Sequence, residues 1–255
     1  MDLIAPVVLT RPAGRNAPLA AALRAAGLAV VEAPALKIER LAVAPPVLQV
    51  GDLCVFVSRQ AVDACFDGRC AATPWPDGVR AAAVGAATAQ ALRLHVPADA
   101  ILAPAEGAPP DSESLLAVIE AVGLVPGRAH IMRAQQGRDW LARQLQARGW
   151  SVYCHALYRR SPAIWDRDTC AILAGPGRCT LLLTSLEAVD AVADSLRRQA
   201  MDWPATLKLV TLHERIARRL QCIYADRPAD ALTVRLSAPD EAALFQAILA
   251  SARSA

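Results

Sequence analysis

Short apolar runs alternate with longer stretches in which apolar residues recur every three or four positions. Val7–Thr10, Leu28–Val31, Leu53–Val57, Val79–Val84, His130–Met132, Thr180–Leu183 and Leu207–Thr211 read as strands. The opening MDLIAPVVLTRP, with no basic leader and no long apolar segment, reads as the first core strand and not as a signal peptide. Helical spacing occupies Arg15–Ala26, stopped by Gly27, then Gln60–Phe66, Ala86–Leu94, Ser112–Val122 with Ser112 as N-cap, a stretch closed by Gly149, and a last helix over Ala238–Ala250. Strands and helices that alternate at this length predict an α/β protein with parallel sheets covered by helices on both faces.

Turn residues punctuate the pattern at Pro45-Pro46, Thr73-Pro74-Trp75-Pro76, Pro104–Pro110 and Gly175-Pro176-Gly177, none of them a long linker. Lys37–Val43 and Tyr153–Arg160 are extended and charged, and are expected to pair with each other.

The chain also repeats itself. Cys54–Ala64 reads CVFVSRQAVDA and Leu181–Ala191 reads LLLTSLEAVDA, which aligns Ser58 with Ser185. Downstream, Val84-Gly85-Ala86-Ala87-Thr88-Ala89 aligns with Leu212-His213-Glu214-Arg215-Ile216-Ala217. Upstream, Arg11, Gly14-Arg15, Leu23 and Gly27 align with Arg133, Gly137-Arg138, Leu145 and Gly149. The matches keep the same order, so a duplicated α/β unit, and hence two similar lobes, is expected.

Composition narrows the function. The chain is 55% hydrophobic and 20% charged, which supports a substantial core. A net charge of +3 is too weak for a nucleic-acid footprint. Lys37 and Lys208 are the only lysines, so nearly all positive charge is arginine, suited to paired contacts with carboxylates or phosphates. The seven cysteines (Cys54, Cys65, Cys70, Cys154, Cys170, Cys179, Cys222) form no CxxC pair and read as small core residues in a reducing compartment. The four histidines make no HExxH, and neither a Walker A nor a GxGxxG sequence is present. Polar residues fall repeatedly where a strand gives way to a helix: Thr10-Arg11, Ser58, Gly85, Arg133 to Gly137, Thr184-Ser185 and His213. Free N–H groups and the helix dipole make such turns anion sites, and six of them predict an anion-binding cleft between the lobes.

Several segments together resemble a known family. TRP at Thr10–Pro12, VSRQAV at Val57–Val62, VGAATAQAL at Val84–Leu92, SESLL at Ser112–Leu116, Arg133-x3-Gly137-Arg138, the tyrosine of ALYRR and Thr184-Ser185 follow the order seen in uroporphyrinogen-III synthases. The resemblance spans nearly the whole chain. It implies two similar parallel-sheet α/β lobes joined by a two-stranded linker: residues 1–35 with 160–255, residues 50–151, and hinge strands at 36–49 and 152–159. It implies cofactor- and metal-free closure of the linear tetrapyrrole hydroxymethylbilane, with loss of water and inversion of ring D. It also implies a cytoplasmic monomer with no nucleic-acid or membrane partner.

By the same resemblance Tyr158 is the catalytic proton donor. Thr10, Arg11, Ser58, Gly85, Thr88, Arg133, Gly137, Arg138, Thr184, Ser185 and His213 are the candidate substrate contacts. The arginines have an alternative structural role, and Ser58 and Ser185 an alternative role as helix caps. The sequence departs from the family pattern at His213 and Ile216, which stand where many relatives have Gly and Thr; this weakens a hydroxyl role there. A non-catalytic anion-binding or regulatory module of the same fold is the alternative function. An unrelated α/β transferase would call for a phosphate loop, and no Walker A sequence is found.

Overall fold

The computed structural model describes residues 6–44, 46–66, 74–175 and 179–254. Met1–Ala5 of the first strand segment, Pro45, Cys70, Thr73 and Pro176-Gly177 lie outside the described residues.

In chain order the elements are β1 (Val7–Leu9), α1 (Ala17–Ala25), β2 (Val30–Glu32), β3 (Leu36–Arg40), β4 (Leu53–Phe56), α2 (Arg59–Phe66), β5 (Arg80–Ala83), α3 (Ala86–Leu92), β6 (Ile101–Leu102) and α4 (Ser112–Val122). There follow β7 (Arg128–Ala134), α5 (Trp140–Ala147), β8 (Ser151–Pro162), α6 (Arg167–Ala174), β9 (Cys179–Leu183), α7 (Leu186–Arg198), β10 (Leu207–Thr211), α8 (Glu214–Ile223), β11 (Leu232–Leu236) and α9 (Glu241–Arg253). They divide into two compact units, Met1–Lys37 with Ser161–Ala255, and Ile38–Arg160. The chain therefore passes between units twice, once in β3 and once in β8.

Unit 1 contains a five-stranded sheet in the order β11-β10-β9-β1-β2, parallel throughout. The period of two along its strands separates two cores. Val8, Leu181, Leu183 and Leu209 face α6, α7 and α8 through Leu173, Val189, Val192 and Leu220. Val7, Leu9, Leu182 and Val210 face α1 and α9 through Leu19, Leu23, Leu244 and Ile248.

Unit 2 carries the order β3-β8-β7-β4-β5-β6, and β8 through β6 are parallel. Cys54, Phe56, Ala81, Ala83 and Met132 face α2 and α3. Leu53, Val55, Ala82 and Ile131 face α4 and α5. β3 lies beside β8, with the Leu41 N–H donating to the Leu157 carbonyl at 3.0 Å.

The sequence repeat explains why the sheets correspond. Through the aligned segments, β8-β7-β4-β5-β6 matches β2-β1-β9-β10-β11 strand for strand. Each sheet joins the opening βα unit of one copy to the remaining strands of the other.

Several helix starts differ from the sequence reading. Asp111, not Ser112, caps α4, its side chain accepting from the Ser114 N–H at 2.8 Å. Asp240 caps the last helix in the same way through the Ala243 N–H at 2.8 Å, so that helix begins at Glu241. α1 begins at Ala17, with a proline in its first turn, where the missing N–H costs no helical hydrogen bond.

A depression in unit 2 built on Ser58, Tyr158 and arginines

At the carboxyl ends of β4, β5 and β7, unit 2 contains a depression of about 270 Å³. Of the sequence-predicted residues it brings together Ser58, Arg133, Gly137, Arg138 and Tyr158, and it adds Pro110, Asp111, Ser112, Gln136 and Arg160.

Tyr158 reaches this place through an irregularity in β8. The ladder with β7 runs Met132↔His155 and Arg133↔Ala156, then shifts so that Ala134 faces Tyr158. Regular alternation would set Leu157 opposite Ala134 and turn Tyr158 to the other face. The bulge gives both Leu157 and Tyr158 to the core that packs on α2 and α3. The Tyr158 ring is 1% exposed, and the Gln135 N–H fixes its carbonyl at 2.7 Å.

The phenolic oxygen of Tyr158 lies 2.9 Å from Ser58 Oγ. Ser58 stands at the start of α2, where its Oγ accepts the Ala61 N–H at 3.1 Å. This satisfies one of the amide donors that a helix start leaves open.

Arg133, Arg138 and Arg160 line the same depression as the hydroxyl pair. Arg133 is mostly buried; its Nη1 is bonded to the Asp139 carboxylate and its Nε donates to the Ala134 carbonyl at 3.3 Å. Burial opposes the Arg133 charge, but the Asp139 carboxylate and the neighbouring Cys154 outweigh it and hold the guanidinium's pKa above its ordinary value. The Arg133 guanidinium in turn holds Asp139 below the usual carboxylate range. A Cβ on Gly137 would lie 3.2 Å from Arg133 Nη2, the outer end of that side chain. Arg138 is exposed and sits 3.5 Å from Glu113, and Arg160 Cζ lies 6.0 Å from the centre of the Tyr158 ring. Asp111 is held below the carboxylate range by its bonds to the Ser114 backbone and side chain.

Gly85 and Thr88 are not part of the lining of the depression. A Cβ on Gly85 would meet Pro110 Cβ at 2.6 Å, so glycine here is what lets the Pro110 wall approach. Thr88 is buried in the first turn of α3, its N–H donating to the Gly85 carbonyl at 3.0 Å.

The remaining predicted residues belong to unit 1. The buried Thr10 hydroxyl donates to the Leu182 carbonyl at 2.6 Å, tying β1 to β9. Arg11 is buried, with Nε on Asn16 Oδ1 at 3.1 Å and both terminal nitrogens on Glu241 at 2.6 and 3.2 Å. Ser185, preceded by Thr184, caps α7 through the Ala188 N–H at 3.1 Å. His213 Nδ1 accepts the Arg215 N–H at 3.1 Å at the start of α8. Among the described residues no group of three or more His, Cys, Asp or Glu side chains is arranged to hold a metal. No helix of the described residues is long and apolar enough to cross a membrane.

Sequence reasoning left Asp111, Gln136 and Arg160 off the candidate contacts. Arg160 lies two residues past Tyr158, and Asp111 precedes the SESLL segment; a search of the neighbours of each motif would have found both.

Among solved structures the chain is similar to a mutant uroporphyrinogen III synthase from the extremely thermophilic bacterium Thermus thermophilus, with 18% identity, 97% of this chain and 98% of that chain covered, and a TM-score of 0.54. It is also similar to uroporphyrinogen-III synthetase from Helicobacter pylori, with 13% identity, coverage of 96% and 98%, and a TM-score of 0.57. At these identities the likeness establishes the fold. The family model described as HEM4, uroporphyrinogen-III synthase HemD, matches residues 17–224. A match over that span, on a chain whose two sheets share one strand order, places this protein in the uroporphyrinogen-III synthase family.

Proposed function

We propose that the depression in unit 2 receives the reacting end of hydroxymethylbilane, with Tyr158 donating its proton to the departing hydroxyl. The family's activity is closure of this linear tetrapyrrole to uroporphyrinogen III, with loss of water and inversion of ring D. The observation that carries the site assignment is a phenol, bonded to a helix-capping serine at 2.9 Å, in a depression lined by Arg133, Arg138 and Arg160.

The chemistry fits those groups. Each ring of the substrate bears an acetate and a propionate, so the ligand is a string of carboxylates, and guanidinium groups bind carboxylates through paired donors. At about 270 Å³, the depression lies below the roughly 300–1,000 Å³ typical for whole drug-sized ligands. It therefore suits one pyrrole ring and its acids.

The pyrrole supplies most of the driving force, since its ring nitrogen pushes out the hydroxyl. The protein needs to offer a proton to that oxygen and none to the carbon. A phenol is a sufficient donor for this, and donation from a placed side chain accelerates such steps by about 10²–10⁴. The hydroxyl leaves as water, the ring N–H proton is released, and an azafulvene remains. The substituted carbon of ring D attacks it to form a spiro intermediate, which fragments and recloses as the inverted isomer. Tyr158 recovers the released proton, so the cycle balances with water as the only by-product. Holding the rings so that the spiro route wins is a matter of orientation, the task to which the arginines are suited.

The test is incubation of the purified protein with freshly made hydroxymethylbilane, oxidation, and separation of the isomers. Isomer III at a rate set by protein concentration is expected. Isomer I alone, at the rate without protein, would leave a non-catalytic module of the same fold.

A further inference from the structure

We infer that Ser58 is a positioning residue that sets the direction of the Tyr158 proton, aligning a hydrogen-bond chain from the Ala61 amide through Ser58 and Tyr158 into the depression. The inference rests on the proposed role of Tyr158.

A serine hydroxyl has one proton and two lone pairs. On Ser58 one lone pair is committed to the Ala61 N–H at 3.1 Å, at the positive end of the eight-residue helix α2. Accepting that bond withdraws density from the oxygen. It makes the hydroxyl a poorer second acceptor and a better donor. The nearest partner for its proton is the Tyr158 oxygen at 2.9 Å. If Ser58 donates to that oxygen, the phenol's own proton is turned away from the serine. The Tyr158 ring is fully enclosed in the core that packs on α2 and α3, and the residue lines the depression. The proton then points to where a leaving hydroxyl would lie. Reversed, the chain would spend the Tyr158 proton on Ser58 and leave the phenol oxygen facing the substrate as an acceptor.

The rest of the molecule supports assigning this to a specific arrangement rather than to helix capping in general. Ser185 makes the same cap at the same 3.1 Å distance, with its Oγ on the Ala188 amide. Ser58 Oγ bonds both an amide and a tyrosine.

The test uses the full chain and the isomer assay, with kcat and KM measured separately and thermal melts as the fold control. In Ser58→Ala the kcat for isomer III should fall about tenfold, the effect of one ordinary hydrogen bond, with KM changed less than about twofold. Ser58→Asp keeps an oxygen to cap α2 but has no proton to give, and draws the Tyr158 proton to itself. It should melt like the wild type and lose kcat at least as far as Ser58→Ala. Ser58→Thr keeps both cap and donor and should restore kcat. In a Tyr158→Phe background, Ser58→Ala should change kcat no further, because its effect passes through the phenol. Multiplying losses in the double variant, or wild-type kcat in Ser58→Asp, would overturn the positioning role while leaving the synthase activity standing. Absence of isomer III from the wild type would instead overturn the reading on which the role rests.

Discussion

The two units are one design carried to two ends. Their matching strands occupy the same order, and their matching serines, Ser58 and Ser185, cap α2 and α7 at the same distance. The differences begin beyond that scaffold. Arg11 and Arg133 occupy aligned positions after β1 and within β7. Arg11 has its donors on Asn16 and on both oxygens of Glu241, and pins α9 to the end of β1. Arg133 meets the exposed Asp139 carboxylate, the Ala134 carbonyl and the neighbouring Cys154, and lines a depression. Gly85 admits Pro110, whereas its counterpart His213 carries a side chain that caps its own helix. Thr88 is matched by Ile216, and both are buried. In unit 1 the aligned arginine ties a helix to the sheet, and in unit 2 it is paired with Asp139 in the lining of a depression. Duplication preserved the frame, and small changes at the strand ends give each copy its own set of polar partners.

The comparison is most directly broken at Tyr158, whose hydroxyl meets the capping serine of unit 2. Tyr158→Phe should lower isomer III formation by about 10²–10⁴-fold while urea unfolding stays within about 1 kcal/mol of wild type. Unchanged turnover would remove the phenol from the chemistry.

The next effect is steric. Gly85→Ala sets a methyl 2.6 Å from Pro110 Cβ, an overpacking that should cost about 1–3 kcal/mol and displace one wall of the depression. His213→Ala, at the aligned position, should cost only a cap, about 1 kcal/mol. Equal destabilisation in urea melts would contradict the account of Gly85.

A third difference is electrostatic. In unit 1 the face of Val8, with Val31 packed against it, is apolar and belongs to the core that packs on α6, α7 and α8. The aligned strands of unit 2 carry His130 stacked on Tyr153 and on His155, with His130 Nδ1 3.0 Å from His155 Nε2. Asp52 lies 3.4 Å from His130 Nε2 and is gripped twice by Arg128 at 2.9 and 2.7 Å. Burial lowers the pKa of His130, with Asp52 pulling the other way and Arg128 reinforcing it; burial and then the charge of His130 lower that of His155. Above the unfolded histidine value, about 6.5, neither state binds these protons and the full stability is present. As pH falls below it, the unfolded chain takes up protons that the folded one refuses, so stability drops until the depressed folded values are reached. Each imidazole can contribute at most about 1.4 kcal/mol per pH unit in that window. Urea melts between pH 7.5 and 5 should show the fall, and His130→Val, the residue type of the aligned Val8, should flatten it; an unchanged slope would assign the acid sensitivity elsewhere.

The smallest effect is the test of sameness. In stability alone, Ser58→Ala and Ser185→Ala should each cost about 1 kcal/mol, since the two caps are alike. A difference well beyond that would show that the Tyr158 contact also contributes to folding.

Much of this was legible in the residues. The identical Ala-Val-Asp-Ala segments lie in the first two turns of α2 and α7, where capping and packing restrict the choice of residue, so the duplication shows there. From the matched segments the shared α/β architecture follows. The depression was legible in its components, Ser58, Arg133, Gly137, Arg138 and Tyr158, but not in their assembly. The bulge at Arg133/Ala134 defeats a period-two reading, because two residues opposite one leave no mark in the hydrophobic pattern. The Gly85–Pro110 approach and the Asp52–His130 pairing depend on contacts distant in sequence. The partners of an arginine are equally hidden, which is why Arg11 and Arg133 read alike in sequence and differ in their surroundings. The helix starts erred where two polar residues adjoin, as at Asp111-Ser112, and the structure chose the carboxylate.

The exchange of opening βα units has a consequence for synthesis. Unit 2 is a continuous stretch, Ile38–Arg160, so all its strands are available together once that stretch has left the ribosome. Unit 1 is not. Val7, Val8 and Leu9, fully enclosed in the finished molecule, pair with β9 in the register Val7↔Thr180, and the whole of unit 2 is made in between. Closing so long a loop is slow and leaves apolar strand edges waiting. The nascent chain should therefore build unit 2 first, and its earliest apolar strand is the one a chaperone has longest to find.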